Sequence, residues 1–262
     1  MLSNTELADY IGNLLDVSSF SDYSINGLQV EGRRDIKKIV TSTTASLDAI
    51  NAAVELNADA LLVHHGLLWK GAVAPVAGAM RLRYKTLLEN NINLFAYHLP
   101  LDANMELGNN RCLCDLVDVA APEYLEKGNP QSIGMQGILK QPSSVADLAH
   151  KLTVNLKSPV QVLGRKKESD VISSVAVCSG SGSFIVDDNT NPCFDALITG
   201  DVKEQTFHFA AENNIAVFAV GHHASEQGGI ANLGSRISHD LNLEVIFKSF
   251  SVEADSKIYD FR

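Results

Sequence analysis

Two short phrases of this sequence occur twice, in the same order and with the same neighbours. Asp59-Ala60-Leu61-Leu62 returns as Asp195-Ala196-Leu197-Ile198, and Glu89-Asn90-Asn91-Ile92 returns as Glu212-Asn213-Asn214-Ile215. After each second phrase comes a run of Leu, Val, Phe and Ala. Each run ends in a histidine with a carboxylate four residues on: His98 with Asp102, and His222 with Glu226. One tetrapeptide match is ordinary chance. Two in register, closed by the same His/carboxylate ending, indicate an internal duplication. The expected fold is α/β: two related lobes with mixed sheets and a shared metal cleft between them, where small-molecule sites commonly lie.

The local pattern supports such lobes. Asn4–Leu15 reads as a helix, with Ser3 or Asn4 as N-cap and Leu7, Ile11 and Leu14 on one face. Lys38–Thr43, Ser46–Asn57 and Asp59–His64 read as strand, helix and strand, a βαβ unit with a right-handed crossover. A helix near Met80–Asn90 and a strand Asn93–Tyr97 follow. Ala121–Pro130, with two prolines, reads as a boundary. Beyond it come strands at Gly134–Leu139, Val160–Leu163 and Ser173–Val177, with a helix opened by Ser143 or Ser144. Residues 1–125 are therefore expected to form the first lobe and 126–227 the second. In 228–262 a helix (Ile230, Leu233, Ile237) and a strand at Glu244–Phe250 are expected to pack back on the first lobe.

Three apolar runs end in metal-ligand side chains: His64-His65, His98 with Asp102, and His222-His223 with Glu226. Ligand groups of open α/β sheets gather at such C-terminal strand ends. Adjacent side chains on a strand point to opposite faces, and at a strand end His64 and His65 can diverge, one toward each of two metals. Imidazole and carboxylate together suit Zn, Mn, Fe or Ni and also water activation. His64, His65, Asp102, His222 and Glu226 are the expected metal ligands. They hold two divalent ions per chain with open positions, as a catalytic site requires. His222 and His223 both lie within helical reach of Glu226; the repeat favours His222, because His98 and Asp102 share its spacing. His98 is expected either to orient a ligand or a bound water, or to act as a general acid/base; Glu226 is the second catalytic candidate. Asp201 falls where the first lobe has His65, which sets it either against a ligand histidine or as the cap of a helix near Glu204. The Cys178–Phe184 run, CSGSGSF, is a phosphate cradle or a plain tight loop. Cys178 itself reads as a buried structural thiol, and His150, His208 and His239 as structural or solvent-facing.

Composition removes other classes. Net charge is −10 and the longest basic run is Arg165-Lys166-Lys167, so no nucleic-acid partner is expected. An anionic small molecule stays compatible, because bound metals supply local positive charge. No apolar run approaches the ~18 residues of a membrane span. The acidic N-terminal segment has no basic stretch of a signal peptide. The four cysteines form no CxxC pair, which fits a reducing, cytoplasmic compartment.

The phrases NGLQV (Asn26–Val30), LLVHHGLLW (Leu61–Trp69), YHLPLD (Tyr97–Asp102), TGD (Thr199–Asp201) and GHHASE (Gly221–Glu226) together resemble the Nif-three-like family, whose members carry the name GTP cyclohydrolase 1 type 2 homologue. The resemblance spans essentially the whole chain, in motif order and spacing. It implies a two-lobe α/β fold, a dinuclear site on His64, His65, Asp102, His222 and Glu226, and a toroidal homohexamer. It also implies a small-molecule substrate, GTP, opened hydrolytically at C8 with release of formate. The competing expectations are a metal-binding or partner-binding scaffold without turnover, and a metal-dependent hydrolase of another substrate.

Overall fold

A computed structural model describes residues 2–72, 74–187 and 192–250. The first part of the chain forms β1 (Leu2–Ser3), α1 (Asn4–Leu14), β2 (Gly27–Val30), β3 (Asp35–Ile36), β4 (Lys38–Thr44) and α2 (Leu47–Glu55). Next come β5 (Ala60–His65), α3 (Gly78–Glu89), β6 (Asn93–Ala96), α4 (Leu99–Ala103) and α5 (Asn109–Leu116). The middle holds β7 (Val119–Tyr124), β8 (Met135–Ser144), α6 (Val145–Leu156), β9 (Gln161–Leu163), β10 (Val171–Cys178) and α7 (Phe184–Asp187). The chain continues with β11 (Ala196–Thr199), α8 (Glu204–Glu212), β12 (Ala216–Ala219), α9 (His222–Ser225), α10 (Gln227–Leu241) and β13 (Glu244–Phe247).

Beside a two-stranded antiparallel pair, β1-β3, the remaining strands make two mixed sheets, so the α/β class expected from the sequence is the one observed. The first runs β13-β4-β5-β6-β2 and the second β7-β8-β10-β11-β12-β9. Each contains a parallel trio, β4-β5-β6 or β10-β11-β12, followed by an antiparallel edge, β2 or β9. The helix starts follow from side-chain caps: Ser3, Ser46 and Ser144 accept from the backbone N–H three residues on. Alternation along the strands sorts the first core into two layers. Ile39, Ala60, Leu62 and Phe95 face α1 and α10; Val40, Leu61, Val63 and Leu94 face α2 and α3. The second sheet is covered in the same way, by α5 and α6 on one face and by α7 and α8 on the other. Strand β13 extends the first sheet by pairing parallel with β4, and residues 251–262 lie outside the described region.

The duplication is visible in backbone detail. Asp59 Oδ2 accepts the N–H of Lys37 and Lys38, and Asp195 Oδ2 accepts that of Ser173 and Ser174, at 2.8–3.0 Å. Both carboxylates thus tie the start of a second strand to the start of a first. Asn91 and Asn214 take the left-handed conformation (φ 50° and 54°) that ends each preceding helix, a geometry asparagine tolerates better than most residues.

The boundary expected at Ala121–Pro130 overlaps regular structure, because β7 runs to Tyr124 as the edge of the second sheet. Its prolines misled because an edge strand with a register shift between Ala120 and Glu123, and φ 47° at Ala121, has no N–H of Pro122 to satisfy. The chain therefore enters the second sheet ahead of residue 126.

Replacing either repeated aspartate strands two backbone donors. Asp59→Ala and Asp195→Ala are each expected to lower unfolding free energy by about 1–3 kcal/mol, read as a lower urea midpoint. The double variant should be close to additive, because each carboxylate serves its own sheet.

Candidate metal centre

The ligand-type side chains all stand at C-terminal ends of the parallel trios. His64 and His65 close β5; His98 and Asp102 follow β6, just before and in α4; His222 and Glu226 follow β12, at the start and just past the end of α9. Pro100 fits the first turn of α4, where no backbone N–H is required, and so turns the chain sharply enough to present Asp102. Gly221, at φ 91°, does the equivalent before His222.

Glu226 lies at the middle. Its Oε1 is 3.6 Å from His64 Nε2, and its Oε2 is 3.3 Å from His65 Nε2 and 3.2 Å from His222 Nε2. Asp102 Oδ2 is 3.6 Å from His64 Nε2. Two overlapping groupings of ligand atoms result: His64, Asp102 and Glu226, and His65, His222 and Glu226. A third brings His98 beside His64 and His65. His223 is in none of them; its Nε2 meets Ser249 Oγ at 3.2 Å. Helical spacing left the choice between His222 and His223 open, and the structure brings His222 to the cluster.

Each imidazole is oriented through Nδ1. His64 Nδ1 faces the carbonyl of Tyr97 at 3.0 Å, which can only accept, so this nitrogen carries the hydrogen. His222 Nδ1 donates to Asp201 Oδ2 at 2.6 Å, and His65 Nδ1 meets Thr44 Oγ1 at 3.3 Å. Of the two roles expected for Asp201, the observed one is contact with a ligand-type histidine; the N-cap of α8 is Lys203. The Nε2 atoms are thereby turned inward. His64 Nε2 and Glu226 Oε2 are buried, and neither has an aligned hydrogen-bond partner.

The second oxygen of Asp102 is fixed separately. Its Oδ1 accepts from Asn109 Nδ2 at 2.9 Å and Ser179 Oγ at 3.1 Å. Asn109 Oδ1 in turn accepts the N–H of Gly229 on α10 at 2.8 Å. Asn110 donates to the carbonyls of Asp102 and Ile133 and accepts the Ser179 N–H. The CSGSGSF loop is accordingly a tight positioning loop. The N–H groups of Ser179, Gly180 and Gly182 are bound by Asn110, Ser225 and Thr199 side chains, which removes them as phosphate ligands.

Electrostatics follow from crowding. Burial opposes protonation of His64, but Asp102 and Glu226 outweigh it and raise its pKa to about 9. The adjoining Glu226 raises His222 to about 9 as well. Burial and the charge of His64 push His65 down to about 3. Burial also opposes ionisation of Glu226, yet His64, His222 and His65 hold it well below the usual carboxylate range. Asp102 is raised, by burial.

His98 has a partner no local motif indicated. Its Nδ1 lies 3.0 Å from Asp22 Oδ1. The buried Asp22 carboxylate also accepts N–H groups of Ser24, Asn26 and Leu99. Burial works against its ionisation, but His98 and Asn26 hold its pKa down to about 2. Asp22 therefore pins both the His98 ring and the start of α4. Elsewhere Cys178 is a buried thiol, held protonated by burial, and His150, His208 and His239 are exposed.

Comparison with known proteins places the chain in a family and a fold. A family model described as Duf34/NIF3 (NGG1p interacting factor 3) matches residues 2–253. Proteins named GTP cyclohydrolase 1 type 2 homolog are similar along nearly the whole chain. That of Pasteurella multocida is 44% identical over 243 residues (93% of this chain, 96% of its own), and that of Escherichia coli K12 is 41% identical over 252 residues (94% and 97%). Among solved structures, protein ybgI, of unknown function, superposes with a TM-score of 0.90 at 40% identity, covering 95% of this chain and 99% of its own. A Thermus thermophilus protein gives 0.86 at 28% identity, covering 96% and 100%.

The turn at Gly180 (φ 59°) passes so close to the cluster that a Cβ there would collide with Glu226 Oε1 and crowd His222 Nε2. Gly180→Ala is expected to cost at least about 1–2 kcal/mol from the left-handed backbone alone, before the displacement of Glu226 is added. A urea titration checks this, with Gly128→Ala, also left-handed (φ 79°) but with open space around its Cβ, as the control.

Proposed function

The chain belongs to the Duf34/NIF3 family, and on that premise we propose that it is a dinuclear metal-dependent hydrolase that opens the guanine ring of GTP with release of formate. The observation that carries the metal reading is the pair of orphaned buried atoms, His64 Nε2 and Glu226 Oε2. A buried polar atom without an aligned hydrogen bond is costly, and a cation held beside each, one between His64 and Asp102 and one between His65 and His222, would satisfy both. His64, Asp102 and Glu226 would hold one ion, and His65, His222 and Glu226 the other. The mixed nitrogen/oxygen set suits Zn, Fe, Mn or Ni, and three protein ligands apiece leave coordination open. When bound, such ions lower the pKa of water and polarise a substrate oxygen.

The chain's own groups divide the remaining work. Asp22 keeps the hydrogen of His98 on Nδ1, leaving Nε2 to take and return a proton beside His64 and His65. Asp201 and the Tyr97 carbonyl orient His222 and His64. Glu226, wedged among three imidazoles, serves the ions first, and proton movement falls to His98. Support for the substrate is the name shared by relatives above 40% identity. A second reading, a metal-binding scaffold that engages a protein partner, is favoured by the family's description as an interacting factor. The proposal includes a homohexamer working in the cytoplasm, which light scattering on the purified protein checks for assembly.

Anaerobically purified, metal-reconstituted protein is expected to contain two divalent ions per chain by elemental analysis. No more than one would remove the dinuclear reading. Glu226→Gln should lose metal, while Glu212→Gln, in the repeat but away from the cluster, should retain it. With GTP, wild type should release formate. His98→Asn should keep its metal and lose about 10²–10⁴ in rate. Formate absent from the fully loaded wild type would favour the scaffold.

Metal uptake should also release protons. His64 and His222 titrate near pH 9 in the metal-free protein, and a ligand imidazole must be neutral. Affinity should therefore rise with pH up to about 9 and fall below it. Calorimetry at pH 7 in two buffers of different ionisation enthalpy measures the released protons.

A further inference from the structure

Beside the cluster lies a cavity of about 270 Å³. His98, Asp102, His222 and Glu226 line it together with Tyr23, Ile133 and Phe184. Tyr23 is the unexplained member. Its side chain is large and apolar for most of its area, yet it is 58% exposed. It is also rigidly held. The Trp69 ring stacks on it with centroids 5.6 Å apart and planes 26° from parallel, and His98 meets it edge-on at 5.0 Å. The two aromatic residues sit on paired segments. Ser24 bridges to Trp69, Lys70 N–H donates to the Tyr23 carbonyl at 2.7 Å, and Trp69 Nε1 donates to the Gly66 carbonyl at 3.2 Å. Trp69 does not itself line the cavity.

We propose that Tyr23, backed by Trp69, is the stacking platform that receives a planar heteroaromatic ring over the metal cluster. Trp69 occupies one face of Tyr23, and the exposed remainder borders the cavity. An exposed aromatic ring fixed in advance loses little entropy when a flat ligand covers it, and every heteroaromatic base has a π-face to offer. The cavity has room for a bicyclic base beside Tyr23. Asp22 couples platform and chemistry: it precedes Tyr23 in the chain and clamps His98 beneath it. The platform would select the flat part of the substrate, whereas ions held by the neighbouring ligand-type side chains would supply Lewis acidity at the bond to be broken. This assignment rests on the cavity being a substrate site, but it requires no turnover.

The test uses guanosine as the probe, with ribose and inorganic triphosphate as ring-free controls, on metal-reconstituted full-length protein. Binding is followed by equilibrium dialysis and through the emission of Trp69, the only tryptophan in the chain. Guanosine should bind with a saturable change in Trp69 emission, and ribose should not. Tyr23→Phe should bind guanosine within about twofold of wild type, and Tyr23→Ala about tenfold more weakly, with metal content unchanged in both. Equal affinity of Tyr23→Ala and wild type overturns the proposal. So does triphosphate binding as tightly as GTP while guanosine leaves Trp69 unaffected. Tyr23-dependent guanosine binding without formate release from GTP would sustain the platform and sink the cyclohydrolase reading.

Discussion

One buried carboxylate sets the terms for the rest of the molecule. Glu226 is almost fully enclosed and ionised, and an enclosed charge persists only where partners compensate its lost hydration. Those partners come from both sheets: His64 and His65 from the end of β5, and His222 from the turn after β12. The two parallel trios must therefore bring their C-terminal ends to the same point. The repeated aspartates, the helix caps and the layered cores each secure a lobe. Compensation of Glu226 secures the lobes against each other.

Three neighbouring imidazoles create the opposite difficulty, since they cannot all be charged. The chain resolves it by assigning each Nδ1 a different tether. Tyr97 offers a carbonyl, Asp201 a carboxylate and Thr44 a hydroxyl. A carboxylate tether favours the charged ring and raises its pKa, whereas burial with a hydroxyl does not. His65, held by Thr44 next to a charged neighbour, is accordingly the ring kept neutral down to low pH. The same fold thus contains imidazoles of opposite protonation within van der Waals range, a condition that concentrates function in one place.

Much of this arrangement was legible in the sequence because it is carried by local pattern. Apolar runs ending in His and carboxylate announced the strand ends, and repeated tetrapeptides announced two lobes. What escaped is what depends on distant partners. Asp22 lies 76 residues from His98, and Ser179 lies 77 from Asp102, and neither pairing leaves a periodic trace. The stacking of Tyr23 on Trp69 leaves no local pattern either, since it becomes apparent only when two segments pair. The edge-strand proline at residue 122 read as part of a boundary between lobes, although proline's incompatibility with a central strand says nothing against an edge. His222 and His223 were indistinguishable by spacing; a hydrogen bond with Ser249, far along the chain, separates them.

The amide of Asn109 shows how little latitude shape alone confers. Its nitrogen gives a hydrogen to Asp102, and its oxygen receives one from the backbone of Gly229. An aspartate at this position would have nearly the same outline and still accept from Gly229, but it would turn an ionised oxygen toward Asp102, where a hydrogen had been. The steric fit would survive and the polarity would reverse. One NH2 replaced by oxygen is a change too small to alter packing, yet it would set two acceptors face to face behind the cluster of ligand-type side chains.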